Sequence, residues 1–72
     1  MFQHRYVVNA LVEFPHRGVT ARATRYGQID AALPASEKDL RGLIVNQVAD
    51  KQGCHPDQVT VINFTFTELP AA

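Results

Sequence analysis

The chain has 72 residues, with seven basic side chains against seven acidic ones, so it carries no formal net charge when its histidines are neutral. Length excludes a second domain, and the charge balance excludes the accumulated Lys and Arg on which binding to phosphates rests. The single cysteine, Cys54, excludes an intrachain disulfide framework and fits a reducing compartment.

A chain this short buries only about 60 to 65 per cent of the surface its unfolded form exposes, so its core is thin. Small domains of this kind are commonly reinforced by a metal or a partner subunit. Charge is uneven along the chain. Up to Gln28, four arginines (Arg5, Arg17, Arg22, Arg25) stand against Glu13, a net +3, and the remainder sets Lys38, Arg41 and Lys51 against six carboxylates, a net −3. That asymmetry suits self-contact as readily as ligand binding. No stretch approaches the roughly 18 consecutive apolar residues that span a bilayer, and residues 1–5 lack the apolar core of a signal peptide. The expectation is a soluble cytoplasmic protein with no membrane partner.

In chain order, residues 3–14 read as a first strand. Tyr6, Val8, Ala10, Val12 and Phe14 fall on one face, all apolar, and Arg5, Val7, Asn9, Leu11 and Glu13 on the other. Pro15-His16-Arg17-Gly18 is a break suited to a hairpin loop, since proline cannot donate to a ladder and glycine accepts positive φ. A second strand runs from Val19 to Gly27 or Ile29. Its small residues Val19, Ala21 and Ala23 suit a face pressed under a helix, Thr20, Arg22, Thr24 and Tyr26 suit an open face, and Arg25 predicts an end, twist or bulge.

Residues 28–35 are a connector. Ser36 has the position of an N-cap, with Glu37 and Asp39 in the first turn and Ser36-x-x-Asp39 as a capping box with Asp in place of Glu. The helix spans 37–52. Leu40, Leu43, Ile44 and Val48 form its apolar stripe, widened by Val45 and Ala49. Gly53 supplies the left-handed stop, and Pro56 forbids continuation. Residues 59–69 then form a third strand of β-branched and aromatic residues, with Ile62, Phe64 and Phe66 expected to face the core and Val61, Asn63, Thr65 and Thr67 to face away.

Strand, strand, helix, strand specifies one α+β domain over residues 1–72, a two-layer β-β-α-β arrangement with one helix on one face of a three-stranded sheet. The spatial order 2-1-3 is preferred to 1-2-3, because the first strand is apolar on both faces and Pro15 lies outside its ladder.

Chemistry is sparse. The four glycines form no phosphate-cradling loop, and Cys54, His55, His4 and His16 lack the spacing of a zinc site, so no metal and no cofactor is expected. Cys54 beside His55 is a poor nucleophile pair: neighbours in a turn project apart, and a helix C-terminus disfavours a thiolate. The expected protein is therefore not an enzyme.

What remains is the open sheet face. Val7, Leu11 and Val61 interrupt it with apolar surface, and the third strand, with no charge before Glu68 and no proline before Pro70, would be an unblunted edge. The leading expectation is a protein-interaction module, a homodimer formed through this face (Val7, Leu11, Val61, Asn63, Thr65) or through the third-strand edge. A nucleic-acid module using Arg5, Arg22 and Tyr26 is the alternative, thinly supported by one aromatic. A small-ligand site between helix and sheet is a third reading and requires a pocket.

Overall fold

The computed structural model describes residues 4–70. In chain order come β1 (His4–His16), β2 (Val19–Ala31), α1 (Glu37–Gln52), a 3-10 turn (Pro56–Gln58) and β3 (Thr60–Leu69). The strands form one antiparallel sheet in the order β2-β1-β3, and α1 lies on one face, chiefly over β1 and β3. This is the α+β two-layer arrangement expected from the sequence, with the first strand in the centre.

Between β1 and β2 the chain reverses in two residues. Arg17 and Gly18 both take positive φ, 52° and 80°, the mirror-image turn whose twist matches that of the flanking strands. β1 and β2 are longer than the sequence suggested, and β3 starts one residue later than expected, at Thr60, because Val59 ends the 3-10 turn. β1 runs on through Pro15, which sits opposite Thr20, and β2 continues to Ala31; the expected start at Gln3 lies outside the described residues. Pro15 is tolerated because β3 accompanies β1 only as far as Glu13, so at Pro15 the central strand has itself become an edge.

Arg25 does not interrupt β2. Pairing with β1 proceeds without a shift from His4↔Ala31 to His16↔Val19, and Arg25 stands on the helix-facing side opposite Ala10.

In β3 the expected alternation fails at one residue. Val61 opposes Val12 and Asn63 opposes Leu11, so Ile62 is the extra residue of a β-bulge. The bulge resets the faces: Val61 joins the helix side and packs against the core, whereas Ile62 is 43% exposed. Phe64 and Phe66 keep the helix-facing side opposite Ala10 and Val8, but only Phe64 packs against the core, and Phe66 remains 38% exposed. An edge strand has no neighbour on its outer side, so even its large residues stay half open. The core is organised by the central strand instead: Tyr6, Val8, Ala10, Val12 and Phe14 lie against Leu40, Ile44, Val48 and Ala49, closed by Val59. Leu40→Ala in this setting costs about 2–5 kcal/mol.

The helix begins and ends as its sequence requires. The Asp39 amide donates to Ser36 Oγ and the Ser36 amide to Asp39 Oδ2, each at 3.2 Å, so the capping box is complete even with Asp in place of Glu. At the other end Gly53 takes φ 69° and the Cys54 amide donates to the Ala49 carbonyl at 3.0 Å, closing a Schellman motif. Leu43 is not part of the buried stripe. At 44% exposure it lies on the helix flank it shares with Gln47, and Gln47 lines the groove above β2, where the sheet is least covered. On the opposite flank Arg41 sits over the Phe64 ring, 5.9 Å from its centroid. The connector into the helix is tied down by Tyr6, whose ring is buried and whose hydroxyl accepts from the Ala35 amide at 2.9 Å.

Candidate functional site

Alternation along β1 sends Arg5, Val7, Asn9, Leu11 and Glu13 to the face away from α1, and the pairings on each side complete five transverse rows. Val7 lies between Gln28 and Thr67, Asn9 between Tyr26 and Thr65, and Leu11 between Thr24 and Asn63. The outer rows are Asp30, Arg5, Leu69 at one end and Arg22, Glu13, Thr60 at the other. Of the residues expected to form an interaction surface, Val7, Leu11, Asn63 and Thr65 are therefore brought together. Val61 is not among them, because the bulge turns it towards the helix.

Cross-strand ion pairs close both ends of this face. Arg5 Nε donates to Asp30 Oδ1 at 3.1 Å and Arg22 Nε to Glu13 Oε2 at 2.6 Å. The sequence reading identified the two arginines but missed their partners. The signal was the turn itself: counting outward from Arg17-Gly18 sets Glu13 opposite Arg22 and Arg5 opposite Asp30. Charge-neutral ends thus flank a centre made of Val7 and Leu11, half-buried by their neighbours, with Tyr26 beside them at 75% exposure.

Elsewhere the side chains with chemical potential are scattered. His4 Nδ1 lies 3.0 Å from Glu68 Oε2. His55 Nδ1 accepts from the Asp57 amide at 3.1 Å, a capping role for the 3-10 turn, and Cys54 packs against the core as a half-buried thiol. Among the described residues no group of three or more His, Cys, Asp or Glu could hold a metal ion, and no helix is long and apolar enough to cross a membrane.

Two concavities bear on a small ligand. One, of about 300 Å³, lies near the hairpin end and is lined by Glu13, Phe14, Pro15, Thr20, Gln58 and Thr60. The other, about 160 Å³, runs between α1 and β2, with Val8, Arg25, Gly27, Ile29, Ile44 and Gln47 on its walls. Ligand pockets usually enclose about 300–1,000 Å³ and converge several polar groups on their contents, and the larger concavity has its one carboxylate already bound to Arg22. Arg25 is the notable group in the smaller one: its Nε is buried and has no hydrogen-bond partner among the described residues.

Comparison of the chain with protein-family models, with curated proteins and with solved structures gave no match.

Proposed function

We propose that this chain is a non-enzymatic protein-interaction module that self-associates through the open face of its sheet. One observation carries the reading: the central strand presents Val7 and Leu11 to a face that no second layer covers among the described residues, between ends whose arginines are already neutralised by Asp30 and Glu13. A covering layer would remove the remaining apolar area of Val7 and Leu11 from water, and because the flanking strands already hold both side chains in place, little ordering entropy opposes that gain. Asn63, Thr65 and Thr67 on one side and Thr24 and Tyr26 on the other supply the polar rim that interfaces of this kind carry.

The third-strand edge is the weaker route, because the bulge at Ile62 interrupts the row of groups that edge pairing needs. Nucleic-acid binding is likewise less well supported than self-association, since Arg5 and Arg22 would have to leave carboxylates to reach phosphates.

Sedimentation equilibrium across the micromolar range tests the reading. The expected result is a mass above the 8.0 kDa of one chain, lowered by Leu11→Lys while the circular dichroism spectrum stays the same. Association unaltered by Leu11→Lys would remove the open face as the surface responsible.

A further inference from the structure

A second surface is unfinished, at the outer edge of β2. This strand is paired only on its β1 side among the described residues, and its ladder with β1 runs through thirteen residues with no bulge. Its helix-facing residues Ala21, Ala23, Arg25, Gly27 and Ile29 lie only half-buried beside the helix, flanked by exposed Leu43. We infer that β2 pairs edge to edge with β2 of a second copy, antiparallel about a two-fold axis through Tyr26, so that one six-stranded sheet runs through both molecules.

The occupant and the register follow from the sequence of the strand. A two-fold axis that makes identical strands antiparallel stands perpendicular to the sheet, so both helices stay on one side and residues equidistant from the axis face each other. Centred on Tyr26, Arg22 of each copy meets Asp30 of the other. Each open-face end row then reads Glu13, Arg22, Asp30, Arg5 across the boundary, with charges alternating, and Arg22 is 65% exposed while bound to Glu13 through Nε alone. On the helix side Arg25 meets Gly27, whose missing side chain leaves room for it, Ile29 meets Ala23, and Ala31 meets Ala21. Neighbouring registers lack this match. Centring on Arg25 sets like charges together, centring on Gly27 puts Arg25 against Ile29 and Asp30 against Thr24, and centring on Thr24 leaves Asp30 beyond the paired segment. The pairing covers residues 21–31, satisfies the outward N–H and C=O groups of that edge, and brings each Arg25 beside the carbonyls of a new strand. It leaves the open face uncovered and so stands independently of the self-association proposed for that face.

Disulfide trapping on a Cys54→Ala background reads the register directly. Opposed residues of antiparallel strands have Cα atoms about 4.5–5.5 Å apart, within the range of a disulfide. Tyr26→Cys is expected to link to itself under mild oxidation. Thr24→Cys is expected to link to Gln28→Cys when the two proteins are mixed, and neither alone. Gly27→Val supplies the second arm: a Cβ at Gly27 meets nothing within 4 Å in the single chain and the residue lines the open groove of about 160 Å³ between α1 and β2, so the variant is expected to keep its fold, while the added side chain would collide with Arg25 of the other copy. Its expected effect is to cut Tyr26→Cys trapping at least about tenfold, with unfolding by urea unchanged; Leu11→Lys leaves that trapping intact. Trapping at Tyr26 no greater than at an exposed helix control, Asp50→Cys, overturns the inference. So does Thr24→Cys linking to itself, or trapping that Gly27→Val does not reduce.

Discussion

The two edges of this sheet are protected by opposite means. β3 is uncharged up to Glu68 and is interrupted by geometry, the extra residue Ile62; β2 is geometrically regular and is interrupted by charge, with Arg22, Arg25 and Asp30 along it. A bulge blunts an edge against every partner, because it displaces the groups that would bond. A charge pattern blunts it only against partners lacking the complementary sequence. The difference teaches that a regular charged edge can be selective where a bulged apolar edge is blunted, a distinction that composition alone does not make.

The largest expected effect separates the two sides of the bulge. Val61→Lys places a charge against the core beside Val12 and is expected to lower unfolding free energy by about 2–4 kcal/mol, whereas Ile62→Lys one residue later changes it by less than about 0.5 kcal/mol. Urea denaturation of the two variants measures the contrast, and equal losses would break the assignment of Ile62 as the extra residue. Next comes the charge on the other edge. Arg25→Met keeps the stem and removes the buried, unbonded Nε, so the isolated chain is expected to gain about 1 kcal/mol. A destabilised variant would show that the guanidinium is held by interactions that the β2 edge alone does not supply. The smallest effect serves as a control on both. Ser36→Ala removes the cap hydrogen bond to the Asp39 amide and should cost about 0.5–1 kcal/mol in thermal or urea unfolding, with no change in association, because Ser36 belongs neither to the open face nor to β2 or β3.

Much of the architecture was legible in the sequence because it rests on local rules. The helix limits 37–52 follow from Ser36, Asp39, Gly53 and Pro56, and the central place of β1 follows from its apolar residues on both faces. What escaped is what pairing decides. Whether a proline breaks a strand depends on where its neighbour ends, and Pro15 survives because β3 stops at Glu13. Whether Val61 or Ile62 points inward depends on an extra residue that alternation cannot reveal, since Val-Ile reads equally well in either frame. The ion pairs of the open face are likewise a matter of register: arginine identities are visible one by one, but their carboxylates emerge only once the turn at Arg17-Gly18 fixes which residues stand opposite.

The bulge also governs which changes of length this chain can absorb. With Ile62 removed, Val61 and Asn63 become consecutive while still facing Val12 and Leu11, and the ladder from Thr60 to Leu69 becomes unbroken. Loss of any single residue between Phe64 and Glu68 does the reverse, reversing the faces of everything on one side of the gap. A deletion in β3 is therefore expected to survive at Ile62 alone, and the variant shortened there would carry a regular apolar edge open to pairing with other chains.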